Sequence, residues 1–80
     1  MNRKGLIALW LKGGTGKASS LSCVDGVLYS YRTPIAVKDG EGVFLNVGKY
    51  SPTTSRQQSA VRAATEVRNV NEAFLRVLIT

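Results

Sequence analysis

Histidine is absent from this sequence, cysteine occurs once, and the Asp and Glu residues number only 5. Without an imidazole there is no Ser–His or Cys–His couple, no side chain that ordinarily titrates near neutral pH, and no nitrogen ligand of the kind zinc most often takes. Cys23 alone can form neither an intrachain disulfide nor a thiolate cluster, so packing must hold the fold, and the expected setting is soluble, reducing and intracellular. The acids are scattered, and only Asp39 and Glu41 come close, across a glycine where acids are ordinary turn residues. Cys23 beside a turn reads as a small apolar filler rather than a nucleophile. The apolar stretch 5–11 is too short to span a bilayer, and no small-residue cleavage site follows it. The chain is therefore expected to be no enzyme, to use no cofactor or metal, and to have no membrane partner.

What is present is enough for one folded body. Eighty residues, 44% hydrophobic and 20% charged, make a single domain spanning 1–80 rather than a disordered tail. Lys and Arg total 11 against the 5 acids, a net charge of +6, and Arg3, Lys4, Lys12 and Lys17 all precede the first acid, Asp25. Such asymmetry attracts nucleic acid or an acidic protein surface, and it equally keeps a small domain in solution.

The apolar pattern predicts an α+β fold, an antiparallel sheet of four to five strands built from hairpins with one helix packed on a face. Residues 5–11 read as a buried strand, or else a helical turn. Segments 19–24 and 27–32 flank Asp25-Gly26, a dipeptide suited to a two-residue hairpin turn, with Val27, Tyr29 and Tyr31 on one face of the second arm. Residues 35–37 and 43–47 form a second hairpin, for which an odd-length loop pairing Val37 with Val43 and Ile35 with Leu45 places the branched residues on one face. A helix follows from Thr53, turning Gln57, Ala60, Val61 and Ala64 inward, with Pro52 in or before its first turn and Ser51, Thr53 or Thr54 as cap. Residues 73–79 form a last strand or a short helix, and Phe74 with Val77, Leu78 and Ile79 favours the strand.

Lys12-Gly13-Gly14-Thr15-Gly16-Lys17 resembles the phosphate-binding loop of the partition ATPases. Ala18 stands where that loop needs a hydroxyl for Mg²⁺, and 80 residues cannot build the parallel sheet and crossover helices such enzymes require. The segment reads instead as a flexible basic loop between strands, whose amides and lysines can touch phosphate without turnover. Residues 49–58 hold five hydroxyls, two amides and two cations at the start of the expected helix, more than a turn needs. Lys49, Tyr50, Ser51, Thr53, Thr54, Ser55 and Arg56 are the candidate partner-binding residues, with Lys12 and Lys17 as a second basic patch. Arg56 stands out, because a cation near a helix start opposes the macrodipole and gains little for the helix itself. Tyr29, Tyr31 and Tyr50 with Arg32, Lys49 and Arg56 also interleave rings and cations, the mixture that stacks bases and neutralises phosphates; the same rings can instead pack beneath the helix.

Residues 28–36, Leu-Tyr-Ser-Tyr-Arg-Thr-Pro-Ile-Ala, followed by 45–58, Leu-Asn-Val-Gly-Lys-Tyr-Ser-Pro-Thr-Thr-Ser-Arg-Gln-Gln, resemble a small domain found among bacteriophage and archaeal-virus proteins of unknown function. That domain carries Tyr-Ser-Tyr-x-Thr-x-Ile-Ala and then Leu-Asn-x-x-Lys-Tyr-Ser-x-Thr-Thr-Ser. The resemblance implies a viral or mobile-element origin and work in the cytoplasm of an infected host cell. The expected function is that of a small non-catalytic protein that binds and blocks a host protein or ribonucleoprotein complex, as an anti-CRISPR inhibitor does. The alternative is a basic accessory protein that binds DNA or RNA.

Overall fold

In a computed structural model, which describes residues 1–79, the chain forms three helices and six strands. Their order is α1 (Arg3–Leu11), β1 (Gly16–Ala18), β2 (Leu21–Val24), β3 (Val27–Ser30), β4 (Thr33–Asp39), β5 (Gly42–Asn46), α2 (Pro52–Ala64), β6 (Arg68–Val70) and α3 (Glu72–Ile79). The strands lie in one sheet in sequence order; β1 to β5 pair antiparallel, and β6 pairs parallel to β5 after the crossover through α2. The α+β class holds, with two helices and at least one strand beyond the sequence expectation.

The segment expected as a first strand is α1. The Asn2 side chain accepts from Gly5 N at 2.7 Å, and Leu6, Ile7 and Trp10 fall on one buried stripe. Gly13, at φ 82°, ends the helix: its N–H donates to Trp10 O and that of Gly14 to Leu9 O, the paired bonds of a left-handed C-terminal cap. The ATPase-like motif is thus the end of a helix leading into a strand, the reverse of a strand leading into a phosphate-binding helix.

The Asp25-Gly26 hairpin forms as expected, both residues having positive φ (52° and 80°) and Val24 opposing Val27. Its arms are shorter, because Ser19-Ser20 and Tyr31-Arg32 are turns and β1 adds a strand beyond β2. The second hairpin departs from the odd-length expectation. Asp39 pairs with Gly42 around a two-residue turn, so Val37 opposes Phe44 and Ala36 opposes Leu45. The expectation sought one apolar face, whereas this sheet buries both. Leu28 pairs with Ala36 and Tyr29 with Pro34, leaving Ile35 as the extra residue of a bulge; Ile35 and Ala36 then join the same core.

One core packs α1 and α2 on the sheet through Leu6, Trp10 and Val61 against Leu21, Leu28 and Leu45. The other packs α3 on the opposite face, Leu75, Leu78 and Ile79 meeting Val27, Val37 and Phe44. That α3 is a helix and not the expected strand follows from Asn71, whose side chain accepts from Phe74 N at 2.8 Å, and from the i, i+3, i+4 spacing of its inward residues.

All three helices begin at one end of the sheet. Arg3 shares a concavity with Ser19 and Ser20, the start of α2 touches Ser30 through Thr54, and α3 opens beside Tyr50 through Glu72. At the other end Trp10 Nε1 donates to Gly26 O at 2.8 Å, and Leu78 and Ile79 lie beside Asp25 and Asp39. Among the described residues no helix is long and apolar enough to cross a membrane.

Cys23 is buried to 1% exposure, with its thiol directed at Gly14 O (3.4 Å); burial pushes its pKa up, offset in part by a backbone hydrogen bond at Gly16. The native protein is expected to resist a chromogenic thiol reagent at pH 8 and to react at one thiol per chain once unfolded in urea. Prompt reaction of the native form contradicts this packing.

Candidate binding surface

Where β5 ends, Asn46 is completely buried and its side chain is fully engaged. Nδ2 donates to Pro34 O (3.1 Å) and to the Tyr50 hydroxyl (2.8 Å), and Oδ1 accepts from Gly48 N (2.8 Å). From α2, Gln58 Nε2 donates to Asn46 O at 2.6 Å and Gly48 O at 3.1 Å. The Tyr50 hydroxyl donates onward to Glu72 Oε1 (2.6 Å), which ties α3 to the same strap, residues 47–51. Ser51 caps α2 by accepting from Thr54 N, and Pro52 occupies its first turn, both as the sequence suggests.

These contacts divide the sequence-predicted site. Thr54 is 3% exposed and shares a hydrogen bond of 2.9 Å with Ser30, so its hydroxyl faces the sheet and not a partner. Gln57 and Gln58 are buried too, and the hydroxyls of Tyr50 and Ser51 are engaged internally, although the Tyr50 ring remains 42% exposed. Lys49, Thr53, Ser55 and Arg56 are exposed on the outer side of the strap and the first turns of α2. Lys12 and Lys17 do not form one patch. Lys12 caps α1 near Gly26, whereas Lys17 lies on the opposite sheet face from Ala18, in a concavity of about 420 Å³ with Ser19, Ser20, Ser22 and Tyr31.

The fold adds residues that sequence reasoning did not place here. The β1–β2 turn and the β3–β4 turn lie side by side, Tyr31 N donating to Ser20 O at 2.7 Å, and Gln57 Nε2 reaches Ser20 Oγ at 3.0 Å. Arg32, Arg3 and Lys4 therefore join Lys49 and Arg56 at the end where the helices start. Among the described residues the acid at that end is Glu72, already hydrogen-bonded to Tyr50 and paired with Arg76 at 2.7 Å. At the opposite end Asp25, Asp39, Glu41 and Glu66 lie among Lys12, Lys38 and Arg62, while Arg68 sits at mid-sheet over the Phe44 ring. Arg32 is already grouped with Lys49 and Arg56 by the ring-and-cation pattern of the sequence, whereas the signal for Arg3 and Lys4 is tertiary, since neither lies near residue 50 in the chain. Gln57 Oε1 is buried without a hydrogen-bond partner, a group whose desolvation costs about 1–3 kcal/mol when nothing answers it.

The pKa shifts at this end follow from the strap. Tyr50 is pushed up, first by desolvation and then by its bond to Glu72, so it stays a neutral donor. Glu72 is lowered, first by the Tyr50 hydroxyl and then by Arg76. Among the described residues no cluster of His, Cys, Asp and Glu is arranged to hold a metal ion.

The chain belongs to a family of unknown function, DUF8033, whose model matches residues 6–75, from the buried Leu6 of α1 to the buried Leu75 of α3. No curated protein and no solved structure matches it.

Asn46→Ala is expected to destabilise the fold by about 2–4 kcal/mol in urea unfolding, because Pro34 O and Gly48 N lose partners in the interior; a loss within error would remove Asn46 from its central place. Glu72, held below the ordinary glutamate range by the Tyr50 hydroxyl and Arg76, contributes stability that is fully present above that ordinary range and is lost as pH falls through the lowered folded pKa. Glu72→Gln should therefore flatten part of the acid limb of a stability–pH curve, and an unchanged limb contradicts the pairing.

Proposed function

We propose that this DUF8033 member is a stoichiometric binding protein that docks its basic end on an anionic surface of a host protein or ribonucleoprotein complex and blocks it, in the manner of an anti-CRISPR-type inhibitor. The observation that carries this reading is the segregation of charge along the sheet. Arg3, Lys4, Arg32, Lys49 and Arg56 lie at the end where three helices start, while Asp25, Asp39, Glu41 and Glu66 lie toward the far end. Convergent cations raise the encounter rate with an anionic partner and orient the approach, and the helix starts add positive partial charge of the same sign. Exposed Thr53 and Ser55 supply neutral donors beside Arg56. The host assignment rests on the resemblance to viral proteins described above.

A second reading, a nucleic-acid-binding accessory protein, draws on Tyr31. Its ring is 65% exposed beside Arg32 and across a concavity from Lys17, in place of the core position open to it in the sequence.

Charge reversal separates these readings. Arg56→Glu combined with Lys49→Glu is expected to keep the melting profile and to reduce capture of the partner complex from infected-host lysate roughly tenfold. Capture that persists after nuclease digestion of the lysate favours a protein surface; capture lost on digestion favours nucleic acid. Undiminished capture by the double variant overturns the basic end as the binding surface.

A further inference from the structure

We infer that the β1–β2 turn is a subsite for single-stranded nucleic acid, one base stacking on Tyr31 and the neighbouring base entering the concavity that holds Gln57. This rests on the reading of the basic end as a binding surface and names the ligand class it would take. Two concavities meet at the turn and share Ser19 and Ser20. The first, about 420 Å³, is lined by Tyr31, Lys17 and Ser22 together with the two turn serines. An exposed aromatic residue and a lysine lining one concavity are what a base and its phosphate require, and stacking suits any base because every base has a π-face. Tyr31 holds its ring outward from a turn position with φ 57°, a conformation that glycine or asparagine adopts more readily.

The second concavity, about 210 Å³, is bordered by Arg3, Thr53 and Gln57. Gln57 is 4% exposed; its Nε2 is held by Ser20 Oγ, and its Oε1 has no partner within the protein. A buried acceptor of this kind calls for an N–H from outside, and each nucleobase offers one on its Watson–Crick edge, where single-stranded bases are read. Arg3 stands at the rim for the accompanying phosphate. A duplex hides both the ring faces and those edges, so the pair of concavities selects an unpaired strand.

Fluorescence anisotropy with a labelled single-stranded oligonucleotide of mixed sequence and with its duplex tests this. The single strand is expected to bind more tightly than the duplex, with affinity falling as salt rises because phosphate contacts release counterions. Tyr31→Ala should weaken binding about tenfold, the loss of one stacked base, while Tyr31→Phe restores it and Lys12→Ala at the far end leaves it unchanged. Gln57→Met, close in volume, should compress the differences in affinity among homopolymers. Binding insensitive to Tyr31→Ala, or a preference for duplex, overturns the inference. If no oligonucleotide binds while capture of a nuclease-treated host complex still depends on Lys49 and Arg56, the strand subsite falls and the broader reading stands; if neither occurs, both fall.

Discussion

Buried Asn46 fastens the end of the sheet to the strap through its side chain and to α2 through its backbone carbonyl, which accepts from Gln58, and the exposed chemistry of the molecule depends on that attachment. A polar group at complete burial is tolerated only when each of its donors and acceptors is met, and here Pro34, Gly48 and Tyr50 meet them while Gln58 takes the carbonyl. The strap of residues 47–51 is thereby held against the sheet end without regular secondary structure. Tyr50 carries the attachment on to Glu72, so one network sets the start of α2 on one face and the start of α3 on the other. Lys49 and Arg56 face outward because their neighbours Asn46, Tyr50, Thr54 and Gln58 face inward.

Charge follows from the same topology. A meander of five antiparallel strands returns its turns alternately to two ends; the Asp25-Gly26 turn and the Gly40-Glu41 turn share one end, and Ser19-Ser20 and Tyr31-Arg32 share the other. Acids suit the first pair as turn formers, and the second pair adjoins the helix starts. Local turn chemistry thus produces a molecule with one nearly balanced end and one strongly cationic end. Such a distribution favours oriented docking, and the surface there is made of cations, hydroxyls and aromatic rings.

Features that need only neighbouring residues were legible in the sequence. Asp25-Gly26 demands positive φ at two successive positions, and Ser51-Pro52 is a local helix start; both stand as read. The α1 segment is short and apolar, so periodicity alone does not separate strand from helix there, and the deciding signal was Asn2 three residues before Gly5. Asn71-Glu72 played the same part for α3. The β4–β5 register escaped because Val37 and Phe44 serve one core while Ala36 and Leu45 serve the other, a distinction invisible until α3 is placed. The strap motif reads as a cluster of binding groups, yet Thr54 and the Tyr50 hydroxyl hold the fold, and only tertiary order brings Arg3 and Ser20 to Thr53 and Gln57 at the start of α2.

The central claim is that one end of this sheet grips an anionic partner and the other does not. An ¹⁵N-resolved NMR titration of the intact chain with a short polyanionic ligand tests it most directly. The account predicts shifts confined to Arg3, Ser19, Ser20, Tyr31, Arg32 and the residues from Lys49 to Arg56. Shifts centred on Lys12, Lys38 and Arg62 at the opposite end, or none at ligand saturation of the amide signals, would contradict it.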